Sequence, residues 1–281
     1  MSVKIIVDST ADLLPEIAAQ VKIVPLTIRF GDREFIDGMT IDSKKFYEML
    51  IESDELPTTS QANPAVFEEA FAEVVGAGHQ VVCITCSSKL SGTHQSAVIA
   101  AEEYPGQVFV VDSQTIALGS AILVQYALEL VAQGQSAEEI AWKLMQKREK
   151  VRLVAMLDTL EYLKKGGRIS KTVAFAGGLL NIKPVISIED GEIKMLGKAR
   201  GSRQGNNLLI QEIGKAGGVD FQKPLLLGYT GLTDTLLQKY IADSAQLWQG
   251  NVENLPIRVI GSVVGTHAGP GAVAVAFFSA E

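Results

Sequence analysis

The chain has 281 residues, of which 47% are hydrophobic and 20% charged, and its formal net charge is −7 at pH 7. This length predicts about two globular domains, and the acidic balance argues against a nucleic-acid-binding protein. Two cysteines are too few for a disulfide scaffold, and because neither a signal-peptide core nor an apolar run of membrane-spanning length occurs, we expect a cytoplasmic protein with no integral membrane segment.

The first half of the chain alternates short apolar runs with amphipathic segments. Strands are predicted at residues 3–7, 21–30, 34–36, 81–85 and 108–112. A first helix is predicted after Asp8, with Ser9 and Asp12 at its start. Further helices are predicted over residues 42–51, 64–75 and 117–132, and another follows Ser91 and Gly92 and ends at residue 101. The last helix of this half runs from Ser136 to about residue 147. This alternation predicts a mostly parallel sheet with helices on both faces.

The second half predicts a different sheet. Its strands are expected at residues 153–157, 184–188, 193–196, 225–229, 257–264 and 272–278, and its longer helices at residues 172–180, 206–213 and 234–248. Two of these strands form a hairpin across Asp190 and Gly191, so the sheet is mixed. We therefore expect two α/β domains, an N-terminal lobe over residues 1–150 and a C-terminal lobe over residues 151–281.

Two familiar kinds of site find little support. Cys83 and Cys86 form a CxxC, but residues three apart on a strand point to opposite faces, so two buried structural cysteines are predicted. The sequence contains no GxxxxGK[ST], no GxGxxG after its first strand and no GxSxG. Gly269 and Gly271 lie between predicted strands rather than before a helix, so ATP or NAD binding is not expected.

Polar loops offer better candidates. Ser91 and Gly92 lie between a strand and a helix, where backbone N–H groups favour an anion. Thr59 and Ser60 lie in a polar loop (Pro57–Pro64) before another helix, and both loops are expected to converge at the carboxyl edge of the first sheet. Ordinary helix capping accounts equally for these residues.

His267 and several arginines complete the candidates. His267 is expected in a glycine-rich loop between two strands, where it either contacts a ligand or lies on the surface. Arg200, Arg203 and Arg168 lie near glycines, and each either faces solvent or holds a carboxylate or phosphate.

Several motifs in order give a specific resemblance. VDSTADL, PTTSQ, SSKLSGTHQSA, VDSQT, LEYLKKGGRIS, NIKPVISIEDGEI and VGTHAGPGA follow one another along the chain. Together they resemble the DegV family of bacterial lipid-binding proteins, as a single unit over about residues 3–279. The resemblance implies a non-catalytic carrier with no cofactor. It would hold one long-chain fatty acid, such as palmitate or oleate, in an interdomain tunnel.

The resemblance also implies a partner and a set of contacts. The partner would be a separate ATP-dependent fatty-acid kinase of the Dak type, which converts the bound acid to an acyl phosphate. The carboxylate contacts would match Thr59, Ser91 and His267, with Ser60 and Gly92 beside them, and the head-group arginine best matches Arg203, with Arg200 as the alternative. The apolar stretches at residues 173–175 and 179–180 would line the tail cavity or belong to the core.

Two rival functions stay open from the residues alone. The first is a hydrolase or transferase with Ser91 as nucleophile and His267 as base, although no acid close in sequence would orient the histidine. The second is a sensor of some other small anion. The nature of the bound ligand distinguishes both from a lipid carrier.

Overall fold

The structure is a computed structural model that describes residues 2–169 and 182–280. The predicted helix at residues 172–180, and with it the two apolar stretches at residues 173–175 and 179–180, lies outside the described residues. The strands are β1 (Val3–Asp8), β2 (Lys22–Val24), β3 (Thr27–Phe30), β4 (Arg33–Ile36), β5 (Thr58–Ser60), β6 (Gln80–Thr85), β7 (Val108–Asp112), β8 (Val151–Met156), β9 (Ile182–Glu189), β10 (Glu192–Arg200), β11 (Leu226–Tyr229), β12 (Ile257–Val259) and β13 (Val273–Phe278). The helices are α1 (Pro15–Ala18), α2 (Ser43–Glu52), α3 (Pro64–Gly76), α4 (Thr93–Ala101), α5 (Leu118–Ala132), α6 (Ala137–Lys147), α7 (Glu161–Lys165), α8 (Gly201–Lys215), α9 (Thr235–Asp243), α10 (Ala245–Trp248) and α11 (Ser262–Ala268).

The first half forms the predicted parallel sheet, in the order β2-β1-β6-β7. Alternate residues of its strands point to opposite faces. Ile5 and Val7 of β1 pack with α5 and α6 on one face, whereas Ile6 packs with α3 and α4 on the other. The expected sheet with helices on both faces is therefore confirmed.

The second half forms a mixed sheet in the order β10-β9-β8-β13-β11-β12. All of its neighbouring strands are antiparallel except the pair β11 and β12. One face packs against α8 and α9, and part of the other packs against α5. Because α5 also packs against β1, it lies between the two large sheets and gives both halves a common core. The boundary near residue 150 stays a prediction.

A small antiparallel sheet, β4-β3-β5, was only partly expected. The predicted strand at residues 21–30 is broken at Pro25, because proline has no N–H for a ladder and the chain changes sheets there. Residues 58–60, predicted as a loop, form β5 and pair with β3. Thr59 is thereby held on a strand rather than on a free loop.

The predicted strand at residues 257–264 is wrong beyond Val259. The chain instead turns at Gly261 and forms α11, so His267 lies on a helix and not in a glycine-rich loop. Tertiary contacts explain this result. Asp12 Oδ1 accepts a hydrogen bond of 2.6 Å from the Gly261 N–H, and Gly265 packs directly against Tyr47 of α2.

The start of the first helix was also predicted wrongly. Helix α1 begins at Pro15, and its N-cap residue makes no side-chain cap. Ser9 Oγ instead accepts from the Leu26 N–H at 3.1 Å, and Asp12 is engaged with Gly261. Both polar side chains near β1 therefore serve distant segments, which local spacing does not reveal.

Candidate functional site

A cavity of about 400 Å³ lies between the two halves of the molecule. Its polar lining residues are Thr10, Thr59, Ser60, Gln61, Cys86, Ser91, Gly92, Arg168 and His267. Its remaining lining residues are apolar: Leu26, Leu90, Ile116, Ala117, Leu153, Ala155, Leu157, Leu163, Ile186, Ile188, Ile193, Ile260, Val263, Val264, Ala268, Ala272 and Ala274. Sites for small organic ligands are about 300–1,000 Å³ and have this combination of apolar walls with few polar groups.

The floor of the cavity is one face of the mixed sheet. Successive inward residues of a strand are two apart, and the floor shows this period at Leu153 and Ala155, at Ile186 and Ile188, and at Ala272 and Ala274. Ala155 and Ala274 are direct partners across β8 and β13. Two small side chains opposite each other leave room above the sheet that larger residues would fill.

His267 and Thr59 form the best-defined polar contact of the cavity. Their Nε2 and Oγ1 atoms are 2.9 Å apart, and Nδ1 of His267 is buried without a partner among the described residues. Burial, and secondarily the positive charge of Arg168, lower the pKa of His267 to about 4. The imidazole is therefore neutral at neutral pH and carries a single N–H.

Ser91 stands at the entry to α4. Its Oγ accepts a hydrogen bond of 3.2 Å from the Thr93 N–H and lies 2.9 Å from the Thr93 hydroxyl. Gly92 is the N-cap residue, and a Cβ there would overlap the Gln61 side chain. Glycine at this position therefore lets the segment after β5 approach the start of α4, which brings the two predicted loops together.

A buried carboxyl lies behind these groups and was missed at the sequence level. Asp8 is fully buried and accepts hydrogen bonds from the N–H and hydroxyl of Thr10 at 2.9 and 2.6 Å. It also accepts from the Cys86 N–H at 2.7 Å. Burial raises the pKa of Asp8 despite these bonds. Asp8 lies at the end of β1 and connects two residues that line the cavity, Thr10 and Cys86. Only the pairing of β1 with β6 could have indicated this connection.

The two cysteines are free and buried. Cys83 packs in the core on one face of the parallel sheet, whereas Cys86 lines the cavity. Burial raises the pKa of both thiols well above the ordinary value. They are therefore protonated at neutral pH, which agrees with the structural role predicted for them.

The arginine at the cavity is Arg168, not Arg203. Arg168 Nη1 donates to the Gly166 carbonyl at 2.6 Å and Nε donates to the Leu90 carbonyl at 3.2 Å. Arg203, in the first turn of α8, is exposed, as is Arg200 at the end of β10, and neither lines the cavity. The reason is that α8 packs against the opposite face of the mixed sheet, where Gly205 lies against Met156 of β8. The cavity floor is the face that carries Leu153 and Ala155.

The other five predicted residues, Thr59, Ser60, Ser91, Gly92 and His267, all line this one cavity. Ser91 hydrogen-bonds to Thr93 rather than to His267, and within residues 2–169 and 182–280 no carboxylate hydrogen-bonds to the His267 ring. Neutral hydroxyls, one imidazole and one guanidinium beside apolar walls instead suit an anion with a long apolar tail.

The described part of the chain offers neither a metal site built from clustered side chains nor a membrane-spanning helix. No group of three or more His, Cys, Asp or Glu side chains there is arranged to hold a metal ion. None of the described helices has both the length and the apolar character needed to cross a membrane.

Known proteins resemble this chain along its whole length. A family model described as the uncharacterised DegV protein family matches residues 2–280. A DegV domain-containing protein of Deinococcus radiodurans is 36% identical over 282 positions, which cover 98% of each chain. Among solved structures, a fatty-acid-binding DegV family protein from Thermus thermophilus has a TM-score of 0.88 at 31% identity, over 99% of this chain and 100% of that one. The fatty acid kinase B3 protein of Streptococcus pneumoniae, solved with linoleic acid, has a TM-score of 0.84 at 27% identity, over 99% of each chain.

Proposed function

Because this chain belongs to the DegV family, we propose that it binds one long-chain fatty acid and presents the carboxyl group to a separate ATP-dependent kinase. The observation that carries this proposal is a single cavity with hydroxyls and His267 among its lining and an apolar sheet as its floor. The protein itself is a carrier and not the catalyst, and it works in the cytoplasm, where its partner has access to ATP.

The carboxylate is held by neutral donors. If the single imidazole proton of His267 lies on Nε2, it donates to Thr59 Oγ1, and the Thr59 hydroxyl is free to donate to the ligand. The Ser91 hydroxyl supplies a second donor by turning away from Thr93. Arg168 adds a positive charge at the cavity wall, which favours the ionised form of the acid.

The tail supplies most of the affinity. At about 0.8 kcal/mol for each buried CH₂, a 16-carbon chain contributes roughly 11–12 kcal/mol before the costs of binding. Hydrogen bonds to a charged head group contribute about 1.5–3 kcal/mol each. The polar groups therefore orient the carboxyl group, while the apolar floor and walls hold the lipid.

The phosphoryl step is assigned to the partner. Transfer from ATP needs a phosphate cradle and carboxylates placed to hold Mg²⁺, and the sequence contains no Walker loop. The Streptococcus pneumoniae neighbour is named as a fatty acid kinase B3 protein, which supports a kinase partner, and the family resemblance implies that this kinase is of the Dak type. The end of the cavity at Arg168 and His267 is where the kinase would reach the carboxyl group.

Mass spectrometry of the purified protein under native conditions tests the ligand. A copurified long-chain fatty acid is expected. A sugar in its place would contradict the fatty-acid carrier. A nucleotide or another small anion would also contradict it and would favour the alternative that the protein senses a small anion.

A reconstitution tests the division of labour. Protein, oleate, Mg²⁺ and labelled ATP are incubated with and without a Dak-type kinase subunit. Acyl phosphate is expected only with the kinase. Formation of acyl phosphate by this protein alone would contradict the non-catalytic role. It would favour the alternative that the protein is a transferase that uses Ser91 and His267.

A further inference from the structure

A second cavity, of about 350 Å³, shares no lining residue with the first. The segment from Arg258 to Gly261 contributes to it from one side, and the turns after β1, β2 and β4 enclose the rest. Its lining residues are Ser9, Ala11, Asp12, Leu13, Ala18, Ile23, Pro25, Asp37, Gly38, Met39, Asp42, Ser43, Arg258 and Gly261. The proposed lipid site uses none of the charged groups gathered there.

Two buried polar atoms at this cavity lack a hydrogen-bond partner. Asp12 is 5% exposed, and while its Oδ1 accepts from Gly261 N–H at 2.6 Å, its Oδ2 has no partner among the described residues. The same holds for the buried Nε of Arg258. A buried polar group without a partner is unfavourable by about 1–3 kcal/mol, so each of these atoms is poised for a group supplied from outside.

The unpartnered atoms need opposite kinds of partner. Once Asp12 is ionised, its Oδ2 needs a donor, whereas Nε of Arg258 needs an acceptor. Asp12 and Arg258 are close enough to interact electrostatically, so one small molecule can reach both. Asp37, which is 8% exposed, adds a second carboxyl group, whose ionised form is favoured by hydrogen bonds from Ser9 and Ser262. Asp42 caps α2 through the Lys45 N–H.

The rim of the cavity is apolar. Ile23 is 40% exposed and Met39 is 72% exposed, and Leu13, Ala18 and Pro25 complete the apolar part of the lining. A metal ion would use neither Arg258 nor this rim. The ligand that matches all of these groups carries an ammonium group, a carboxylate and a short apolar side chain.

We propose that this cavity binds an apolar α-amino acid as its zwitterion, with the ammonium group on Asp12 and Asp37, the carboxylate on Arg258, and the side chain against Ile23 and Met39. The proposal is independent of the lipid function. It gives the protein a second small-molecule site whose lining residues are separate from those of the first cavity.

The binding has a defined dependence on pH. Burial raises the pKa of Asp12 to about 8 and that of Asp37 to about 6. The groups that face these two carboxyls are Arg258, Asp8, the Tyr47 phenol, and the hydroxyls of Ser9 and Ser262. An ammonium ligand must ionise Asp12, so its binding releases a proton and strengthens as the pH rises from about 6 to about 8.

Calorimetric titration of the purified protein tests the site, and the variants below decide which cavity takes up the probe. L-Leucine is expected to bind. Pentylamine, which has only the ammonium group, and pentanoate, which has only the carboxylate, are expected to bind about 10- to 100-fold more weakly because each leaves one charged partner unmatched. Absence of heat with leucine, or equal binding of pentylamine, overturns the proposal without the need for any variant.

Variants assign the binding to this cavity. Asp12→Asn and Arg258→Met are each expected to weaken leucine binding about 10- to 100-fold and to leave the bound lipid in place by native mass spectrometry. Asp32→Asn, in the exposed turn between β3 and β4, is the matched control and should bind like the unchanged protein. Unaltered leucine binding by a folded Asp12→Asn protein places the amino acid elsewhere and overturns the assignment.

Discussion

At the scale of single residues, burial decides which groups of the site carry charge. Burial lowers the pKa of His267 to about 4 and raises the pKa values of Asp8 and Cys86. Burial opposes the charged form of each group, and at neutral pH the His267 imidazole and the Cys86 thiol are uncharged. The polar end of the lipid cavity is thus a set of neutral donors and acceptors with Arg168 as its cation, and an anion placed there meets no fixed negative charge from the groups that line the cavity.

Replacing Ser91 by alanine should separate lipid binding from presentation. The variant loses one hydrogen bond to the carboxylate, worth about 1.5–3 kcal/mol, but keeps the apolar floor. Native mass spectrometry should still find the lipid, while acyl phosphate formation with the kinase should fall. Ser88→Ala, an exposed neighbour in the same segment, should behave like the unchanged protein. A folded but lipid-free Ser91→Ala protein would show that the head group dominates affinity.

His267 should make the protein less stable in acid. Its folded pKa of about 4 lies below the ordinary value of 6.5, so the unfolded chain binds a proton that the folded chain does not. Its contribution to stability is therefore present above pH 6.5 and is lost as the pH falls towards 4. Urea denaturation across this range should show a smaller loss of stability for His267→Gln. His79→Gln, which lies outside both cavities, should keep the loss, and an unchanged slope in His267→Gln would contradict the assignment.

At the scale of elements, helix α11 shows how packing overrides local pattern. Val263 and Val264 favour a strand by their β-branching, yet the segment is helical. Asp12 binds the N–H of Gly261 at its start, the Tyr47 hydroxyl donates to the Ile260 carbonyl at 2.9 Å, and the helix lies against α2. These contacts come from residues more than 200 positions away and set the position of His267.

Gly265→Ala should therefore destabilise the protein. A Cβ at residue 265 would lie 2.6 Å from Tyr47 Oη and 2.8 Å from Phe46 Cε1, both on rigid buried rings. Overpacking of this kind costs about 1–3 kcal/mol. Gly214→Ala in α8 is the matched control, because nothing lies within 4 Å of its Cβ and helix propensity should add up to about 1 kcal/mol. Thermal denaturation of the two variants measures the difference, and equal melting temperatures would mean that α11 is free to shift.

At the scale of the whole molecule, the cavity proposed to bind lipid belongs to both halves. Thr59 and Ser91 come from the first half, and the floor residues Leu153 to Ala274 come from the second. Helix α5 packs against strands of both large sheets. A ligand in this position adds contacts across the two halves, so it should stabilise them as a unit.

Removal of the lipid should lower the melting temperature of a single cooperative transition. A ligand that binds only the folded state adds about 4 kcal/mol at 1,000 times its dissociation constant. Scanning calorimetry of loaded, delipidated and oleate-restored protein measures the change. Acetate, which has the carboxylate but no tail, should restore almost none of the lost melting temperature. Full restoration by acetate, or two separate transitions, would contradict a tail-dominated ligand shared by both halves.

Local signals in the sequence were sufficient for much of this molecule. The helices predicted from residue 64 and from Ser136, and the hairpin predicted across Asp190 and Gly191, all occur. The first helix is capped by the Asn63 side chain, and the second by a capping box of Ser136 and Glu139. Each depends on neighbours a few positions apart, whose geometry is set by backbone and side-chain chemistry alone. The apolar alternation likewise determined the parallel sheet and its two covered faces, and the ordered motifs determined the family.

Only the tertiary structure decided how these parts meet. It brought Thr59 on β5 to His267 on α11, placed Arg168 rather than Arg203 at the cavity, and turned Asp12 from an expected helix cap into a partner of Gly261. Such contacts join segments hundreds of positions apart, and their energies depend on burial, which a linear pattern does not contain. The residue types needed for the site could therefore be predicted from the sequence. Packing decides which of the candidate residues line the cavity and which charge states they have.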